Sequence, residues 1–231
     1  MNQPEALAHQ DLWHRCVSTV GDAAAQLLFQ AYREPHRRYH TLSHIASMLR
    51  DFDARARTWT HPRAVQWAIW FHDAVYKTSV ADYPDNEPAS ARLMQRVLER
   101  SGERDDPTWN ADLDLARRLV LATRRHQLAP GEFTPAQRDD ARGFLDLDLA
   151  ILAAPWEQVL AFDAAIRQEF SHHDDACFAQ GRLQALRALA AGRVFQGPDM
   201  EAPEQAARDN LARLLAHWTA RTPGQGVSRP A

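Results

Sequence analysis

His72 and Asp73 stand side by side in a stretch of the chain that is otherwise apolar. Between Val65 and Tyr76 the only other clearly polar residue is Gln66, and a helix that is apolar on nearly every side lies inside a protein. Burying a carboxylate is costly unless its charge is paired or coordinates a metal ion. The dipeptide therefore needs partners, and metal binding is the chemistry that these residue types indicate.

Other ionisable side chains also lie in apolar helical segments. His44 borders the apolar face of a helix predicted over residues 41–56, and Asp146 and Asp148 interrupt the apolar run 144–152. Imidazole and carboxylate donors suit Mn, Fe, Co, Ni or Zn, and the chain has no cysteine pair for a thiolate-rich zinc site. The spacing leaves open whether Asp146 or Asp148 is the metal ligand.

Helix geometry limits how His72 and Asp73 can bind one ion. Adjacent residues of a helix diverge by about 100 degrees, so both side chains reach the same ion only near the end of the helix. The apolar run ends about one turn after the dipeptide. We predict a central helix from Pro62 to about Tyr76, with the metal site at its carboxyl end.

Composition narrows the class of protein. The chain has 231 residues, of which 45% are hydrophobic, and 27 Lys and Arg against 30 Asp and Glu give a net charge of -3. This balance lacks the basic surface typical of nucleic-acid binding. No apolar run approaches the roughly 18 residues of a membrane span. The two cysteines, Cys16 and Cys177, are far apart, which fits a reducing cytoplasm.

Apolar residues recur at helical spacing along almost the whole chain, and no alternating strand pattern of useful length occurs. The predicted fold class is therefore all-α, with residues 1–221 as a single helical domain and the Pro- and Gly-rich residues 222–231 as a disordered tail. The helices are predicted over residues 12–33, 41–56, 62–76, 87–100, 111–126, 135–152, 155–171, 175–191 and 203–219.

Four motifs, in this order, resemble the HD superfamily of metal-dependent phosphohydrolases, and within it a branch of small stand-alone predicted hydrolases. They are EPHRRYHTLSHI at 34–45, WFHDAVY at 70–76, NEPASA at 86–91 and DLDLAIL at 146–152. The resemblance spans residues 12 to 218. It implies a compact multi-helix bundle with a five-helix core and hydrolysis of a phosphate ester, often of a nucleotide, by a metal-activated water.

The resemblance also implies a set of metal ligands, namely His44, His72, Asp73 and Asp148. Asp148 is preferred to Asp146 because family members place this ligand just before a leucine that continues the helix inward, although Asp146 also precedes a leucine. The ion is divalent, either Mn, Fe, Co, Ni, Zn or Mg, and one or two ions are compatible with the motifs. Asp73 is the family's candidate for orienting the nucleophile, and Glu87 is a second catalytic candidate.

A phosphorylated substrate needs cations and hydrogen-bond donors. The candidates that flank the proposed site in the sequence are Arg37, Arg38, His40, Lys77, Asn86 and His126. His40 either supports His44 or replaces it as a ligand, and His126 either contacts substrate or binds a second ion. Arg124 and Arg125 also flank the site, but the plainer interpretation is that they are solvated charges at a helix end.

These observations predict a cytoplasmic enzyme that acts on a small phosphorylated metabolite or a nucleotide, without a nucleic-acid or membrane partner. Two other functions stay open. The same helical ligand set supports di-iron oxygenase chemistry if spare histidines such as His40 and His126 bind a second iron. A non-catalytic nucleotide-binding protein that retains the metal site is the other alternative.

Overall fold

The structure, a computed structural model, describes residues 3–55, 58–79, 85–101 and 106–221. About 70% of it is helical, with ten α-helices, one 3-10 helix and no strand in these ranges, which confirms the all-α prediction. None of these helices combines the length and the apolar composition needed to traverse a bilayer. The predicted disordered tail, 222–231, lies outside the described residues.

The helices are α1 (Gln3–Val20), α2 (Asp22–Ala31), α3 (Leu42–Ala54), α4 (Pro62–Phe71), α5 (Asn86–Ser101), α6 (Trp109–Ala122), α7 (Pro135–Asp148), a 3-10 helix (Ala150–Ala153), α8 (Trp156–Glu169), α9 (Asp175–Ala190) and α10 (Glu201–Thr219). They fall into two compact units, Met1–Asp148 with α1 to α7, and Leu149–Ala231 with the remaining helices. The compactness of each unit does not decide whether both fold together, so the single domain over 1–221 stays a prediction.

Several predicted helices end earlier than expected. The helix predicted over 135–152 ends at Asp148, and a separate 3-10 helix follows it. The first predicted helix is two helices, because Gly21 adopts a φ of 84° that no α-helix accommodates. The central helix α4 ends at Phe71 and not at Tyr76, with His72 as its C-cap residue. Helix α6 ends at Ala122, and the turn that follows it reaches a positive φ of 50° at His126.

Helix α4 is the centre of the first unit. Its large side chains Trp67, Ile69, Trp70 and Phe71 are at most 1% exposed, and α1, α3, α5, α6 and α7 all pack against it. Tyr32 also reaches the end of this helix, where its hydroxyl donates to the Trp70 carbonyl oxygen at 3.0 Å. This packing explains why the segment is apolar on almost every side.

The amino end of α4 is capped by a residue of another helix. Its own N-cap residue, His61, makes no side-chain cap. Instead the buried Asp140 carboxylate of α7 accepts hydrogen bonds from the backbone N–H groups of Thr60 and His61, both at 2.9 Å. A carboxylate is favoured there because the first N–H groups of a helix have no partners within it and carry partial positive charge.

The same two helices also meet at their carboxyl ends. Asp148, the last residue of α7, places its Oδ1 3.6 Å from the Nε2 of His72 at the end of α4. Since Asp140 meets the start of α4 and Asp148 meets its end, the two helices run side by side in the same direction. This arrangement brings both carboxyl ends, and the polar side chains on them, to one place.

The second unit is organised around a buried carboxylate. Asp163 of α8 accepts hydrogen bonds from the Nε of Arg182 on α9 and from the Nε1 of Trp218 on α10, both at 2.8 Å. Asn210 of α10 donates its amide to the carbonyl oxygens of Leu152 and Ala154, each at 2.9 Å. These contacts join the helices of this unit to each other.

Gly143 allows α7 to approach Trp59 closely, and a side chain there should destabilise the fold. A Cβ at position 143 would lie 2.7 Å from two ring atoms of Trp59, whose ring is stacked on Phe52 and hydrogen-bonded to its carbonyl oxygen. The overpacking in Gly143→Ala costs about 1–3 kcal/mol, which exceeds the gain of about 1 kcal/mol from helix propensity. We expect a lower free energy of unfolding in urea.

Gly181→Ala is the matched control for this prediction. Gly181 lies within α9, and a Cβ there meets no atom within 4 Å. Alanine should therefore raise the free energy of unfolding by about 0.5–1 kcal/mol. Equal stabilisation by the two substitutions would contradict the close contact between α7 and Trp59.

Candidate metal centre

Three side chains from three helices converge on one point. The Nε2 of His44 on α3 lies 3.2 Å from Asp148 Oδ1 and 3.3 Å from the Nε2 of His72. One donor atom from each residue lies within 4.8 Å of the other two, as a single metal ion requires. Both histidines are buried. The structure thus brings together three of the four ligands that the resemblance implied.

Asp148, and not Asp146, belongs to this group. Asp146 is fully buried two positions earlier, and its carboxylate lies 4.0 Å from the guanidinium of Arg55. Residues two apart on a helix differ in direction by about 200 degrees, so the two carboxylates face opposite sides of α7. The geometry therefore groups Asp148, and not Asp146, with the two histidines, while its role as a metal ligand stays a prediction.

The hydrogen bond at the Nδ1 of His72 fixes the tautomer of this ring and so the state of the Nε2 that faces His44 and Asp148. Its Nδ1 lies 3.0 Å from the Ile69 carbonyl oxygen, which can only accept, so Nδ1 carries the hydrogen. In the neutral ring Nε2 is then a lone pair, and it faces His44 and Asp148. A backbone carbonyl that fixes the tautomer of the ring is the usual support for a metal-binding histidine.

Asp73 adjoins the group from the turn after α4. Its Oδ2 lies 3.0 Å from His72 Nε2 and 3.9 Å from His40 Nε2, and its side chain is 19% exposed. The carboxylate is therefore beside the three converging donors and open to solvent on one side. This position suits either a fourth ligand or a group that orients water.

The charges of His72, Asp73 and Asp148 shift one another's pKa values. Burial alone lowers the pKa of His72, but the negative charges of Asp73 and Asp148 outweigh burial and raise it to about 9. Burial in turn raises the pKa of each carboxyl, and the positive charge of His72 outweighs it, so both pKa values fall below the usual range. Without a metal ion, a proton on His72 supplies the positive charge that these donors need.

Arg37 is buried and holds the turn that carries Asp73. Its Nη1 donates to the Asp73 carbonyl oxygen at 2.8 Å and its Nη2 to that of Ala74 at 3.2 Å. It also donates to the His40 carbonyl oxygen and to Glu34. The chain leaves the helical path after Phe71, and the guanidinium satisfies the carbonyl oxygens of the turn that follows. Sequence analysis placed Arg37 among the phosphate ligands, whereas these contacts make it a positioning residue.

His126 and His40 lie next to the converging donors. The Nε2 of His126 is 2.9 Å from Asp148 Oδ2, so the carboxylate has His44 at one oxygen and His126 at the other. The His40 ring packs on Tyr76 with centroids 4.2 Å apart. Both side chains are partly exposed, which leaves them able to contact a ligand.

The other predicted substrate residues make contacts of their own. Arg38 is exposed and its Nη1 donates to the Pro35 carbonyl oxygen at 2.6 Å. The amide of Asn86 bonds both the N–H and the carbonyl oxygen of Lys77, at 2.9 and 3.0 Å. Lys77 is exposed and its Nζ lies 3.6 Å from Glu34. Glu87 lies in the first turn of α5, and within the described residues no contact joins it to the converging donors.

Comparisons with known proteins add no name to this geometry. The chain matches no protein-family model, no curated protein and no solved structure. The donors of the site are two imidazoles and a carboxylate, with a second carboxylate adjacent. This mixed nitrogen and oxygen set fits a first-row divalent ion, and three protein ligands leave room for water or substrate.

Metal affinity should rise with pH, because a metal ion must displace the proton of His72. The raised pKa of about 9 keeps this ring protonated at neutral pH in the metal-free protein. Affinity for Co²⁺ should increase about tenfold per pH unit between about pH 6 and 8.5, as measured by calorimetric titration. A plateau reached near pH 6.5, the ordinary histidine value, would contradict the close contact with two carboxylates. His172→Ala, an exposed histidine in the other unit, should leave the profile unchanged.

Proposed function

We propose that the chain is a metal-dependent phosphohydrolase that cleaves a phosphate ester of a small metabolite or nucleotide. The supporting observation is the convergence of His44, His72 and Asp148 on one point, with the Asp73 carboxylate beside them. The four motifs that resemble the HD superfamily support the same activity. Two imidazoles favour Mn, Fe, Co, Ni or Zn over Mg, which prefers oxygen ligands.

The residues of the site have different roles in the proposed reaction. A bound divalent ion lowers the pKa of water and neutralises charge on the phosphoryl group. His44, His72 and Asp148 hold the ion in this proposal. In the metal-free protein the positive charge of His72 outweighs burial and lowers the pKa of Asp73. A bound divalent ion would replace that positive charge, so Asp73 is ionised at neutral pH, accepts a hydrogen bond from the attacking water and orients it. A carboxylate with so low a pKa is a weak base, which favours orientation over proton removal.

The two neighbouring histidines complete the proposed site. His126 binds the second oxygen of Asp148 and so directs the first towards His44 and His72. His40, 3.9 Å from Asp73 and partly exposed, is placed to give a proton to the leaving group. Proton transfer from a positioned histidine is a common contribution to hydrolysis at neutral pH.

One feature favours a second candidate function. Asp148 presents Oδ1 to His44 and Oδ2 to His126, as a carboxylate that bridges two ions would. A di-iron oxygenase would contain two irons per chain and consume oxygen with its substrate. Metal counting on the protein as purified distinguishes this function from a one-ion hydrolase.

Three expectations from the sequence belong to this proposed function. The enzyme acts in the cytoplasm, its substrate is a small phosphorylated molecule, and it needs neither nucleic acid nor a membrane as a partner. A protein that binds nucleotides tightly without turnover would match the non-catalytic alternative instead.

Two substitutions test the proposed roles on a panel of phosphate esters and nucleotides with Mn²⁺, Co²⁺ or Ni²⁺. His72→Ala should lose both bound metal and activity. Asp73→Asn should retain the metal, because three donors remain, and lose more than about 100-fold in kcat, since even the hydrogen-bond partners of metal ligands contribute 10–100-fold.

His172→Ala serves as the control and should retain full activity. Turnover that is unchanged in the His72→Ala variant and in the Asp73→Asn variant would contradict the proposal. A metal-loaded wild-type protein that cleaves none of the esters would also contradict it.

A further inference from the structure

A cleft of about 750 Å³ opens beside the turn that follows α6. This volume is typical of sites for small molecules. Its walls include the apolar side chains of Pro88, Leu121, Leu128 and Pro130, and two arginines, Arg124 and Arg125, also line it. A mostly apolar surface with a few charged groups is the usual composition of a ligand site.

The loop that forms one wall of the cleft is held in place by hydrogen bonds from α6 and α7. Arg118 of α6 donates to the Glu132 carbonyl oxygen at 2.8 Å, and Arg138 of α7 donates to the Ala129 carbonyl oxygen at 3.0 Å. The Glu132 carboxylate accepts from the Ala129 N–H at 3.3 Å. The chain turns at Gly131, whose φ of 78° suits glycine. The wall is therefore built before any ligand binds.

The charges on the cleft favour an anion. Arg124 and Arg125 are exposed, and a guanidinium pairs with carboxylates and phosphates through two parallel hydrogen bonds. Asp85 lies 3.5 Å from the Arg124 Nη2 and partly balances one of them. Glu132 also lines the cleft, but its carboxylate accepts a hydrogen bond from the Ala129 N–H, which leaves the two guanidinium groups in excess. The arginines also follow the carboxyl end of α6, where cations are favoured in any protein. That preference explains why arginines occur at this end of the helix. It does not explain why they line a cleft with apolar walls.

The cleft and the candidate metal centre share one turn. Arg125 precedes His126, whose ring contacts Asp148, and consecutive Cα atoms lie only about 3.8 Å apart. Pro88, which also lines the cleft, lies in the first turn of α5. A phosphate ester held at the donors would therefore have this cleft within reach of its leaving group.

We propose that the cleft binds the leaving group of the substrate, and that this group has an apolar body and a second anionic group, bound by Arg124 and Arg125. This inference rests on the proposed phosphohydrolase function. The second anion is a carboxylate or a further phosphate, since both have the chemistry that a guanidinium recognises. The substrate class is thus a doubly anionic phosphate ester and not a simple monoester.

Three matched probes test the inference by calorimetry on the metal-loaded full chain carrying Asp73→Asn, in which the ion still holds the phosphate and turnover is more than about 100-fold slower. Phenyl phosphate has one anionic group, 4-carboxyphenyl phosphate adds a carboxylate, and benzene-1,4-diyl bisphosphate adds a phosphate. At least one doubly anionic probe should bind about tenfold or more tightly than phenyl phosphate, because hydrogen bonds to charged groups are strong. The better of the two identifies the second anion.

A double substitution and a matched control test whether the preference for a doubly anionic probe arises from the cleft. Arg124→Gln combined with Arg125→Gln should remove the preference and leave binding of phenyl phosphate unchanged. Arg117→Gln on the same helix, where Arg117 pairs with Asp114, should retain it. Equal binding of all three probes, or a preference that survives the double substitution, would overturn the inference.

The outcome is separable from that of the proposed function. If the preference is present and depends on Arg124 and Arg125, but no metal-loaded protein cleaves any probe, the anion site is supported and hydrolysis is overturned. Thermal unfolding of each variant checks that the fold is intact, which the exposure of both arginines leads us to expect.

Discussion

The crowding of lone pairs at the ends of α4 and α7 is the constraint on which the site depends. The Nε2 atoms of His44 and His72 lie 3.3 Å apart, and an Asp148 oxygen lies between 3.2 and 3.6 Å from both. The buried charge of Asp148 and the lone pair of a neutral His72 repel each other at such distances unless a hydrogen or a cation lies between them. A proton on His72 or a divalent metal ion satisfies this requirement, and the donor types favour the metal ion.

The scaffold keeps these donors together with contacts that are far from them in the sequence. Asp140 caps α4 from α7 and so sets the two helices parallel, which brings His72 and Asp148 to the same end. Arg37 then donates to the carbonyl oxygens of Asp73 and Ala74 in the turn after α4 and holds the turn in which Asp73 lies beside the donors. Both residues are almost fully buried, as groups with a structural role usually are.

Much of this arrangement could be predicted from the sequence, because helical periodicity and a buried His–Asp pair are local signals. The all-α fold and the apolar central helix followed from them, whereas the grouping of His44 with His72 came from the resemblance to the HD superfamily. The end of α4 did not follow from these local signals, since the turn after Phe71 is held by Arg37, 36 positions away from Asp73, and no local pattern reports such a contact. Helical periodicity also did not separate Asp148 from Asp146, because two carboxylates in one apolar run look alike until the face of the helix is known; the preference for Asp148 came from the resemblance to the HD superfamily.

Metal content is the most direct test of the account, measured by mass spectrometry on full-length protein purified without added metal. About one divalent transition-metal ion per chain is predicted, with its loss in Asp148→Ala and its retention in Asp139→Ala, an exposed carboxylate of the same helix. A wild-type chain that takes up no metal ion, even when Mn²⁺, Fe²⁺, Co²⁺, Ni²⁺ and Zn²⁺ are offered, would contradict the account. So would an Asp148→Ala chain that keeps the same content.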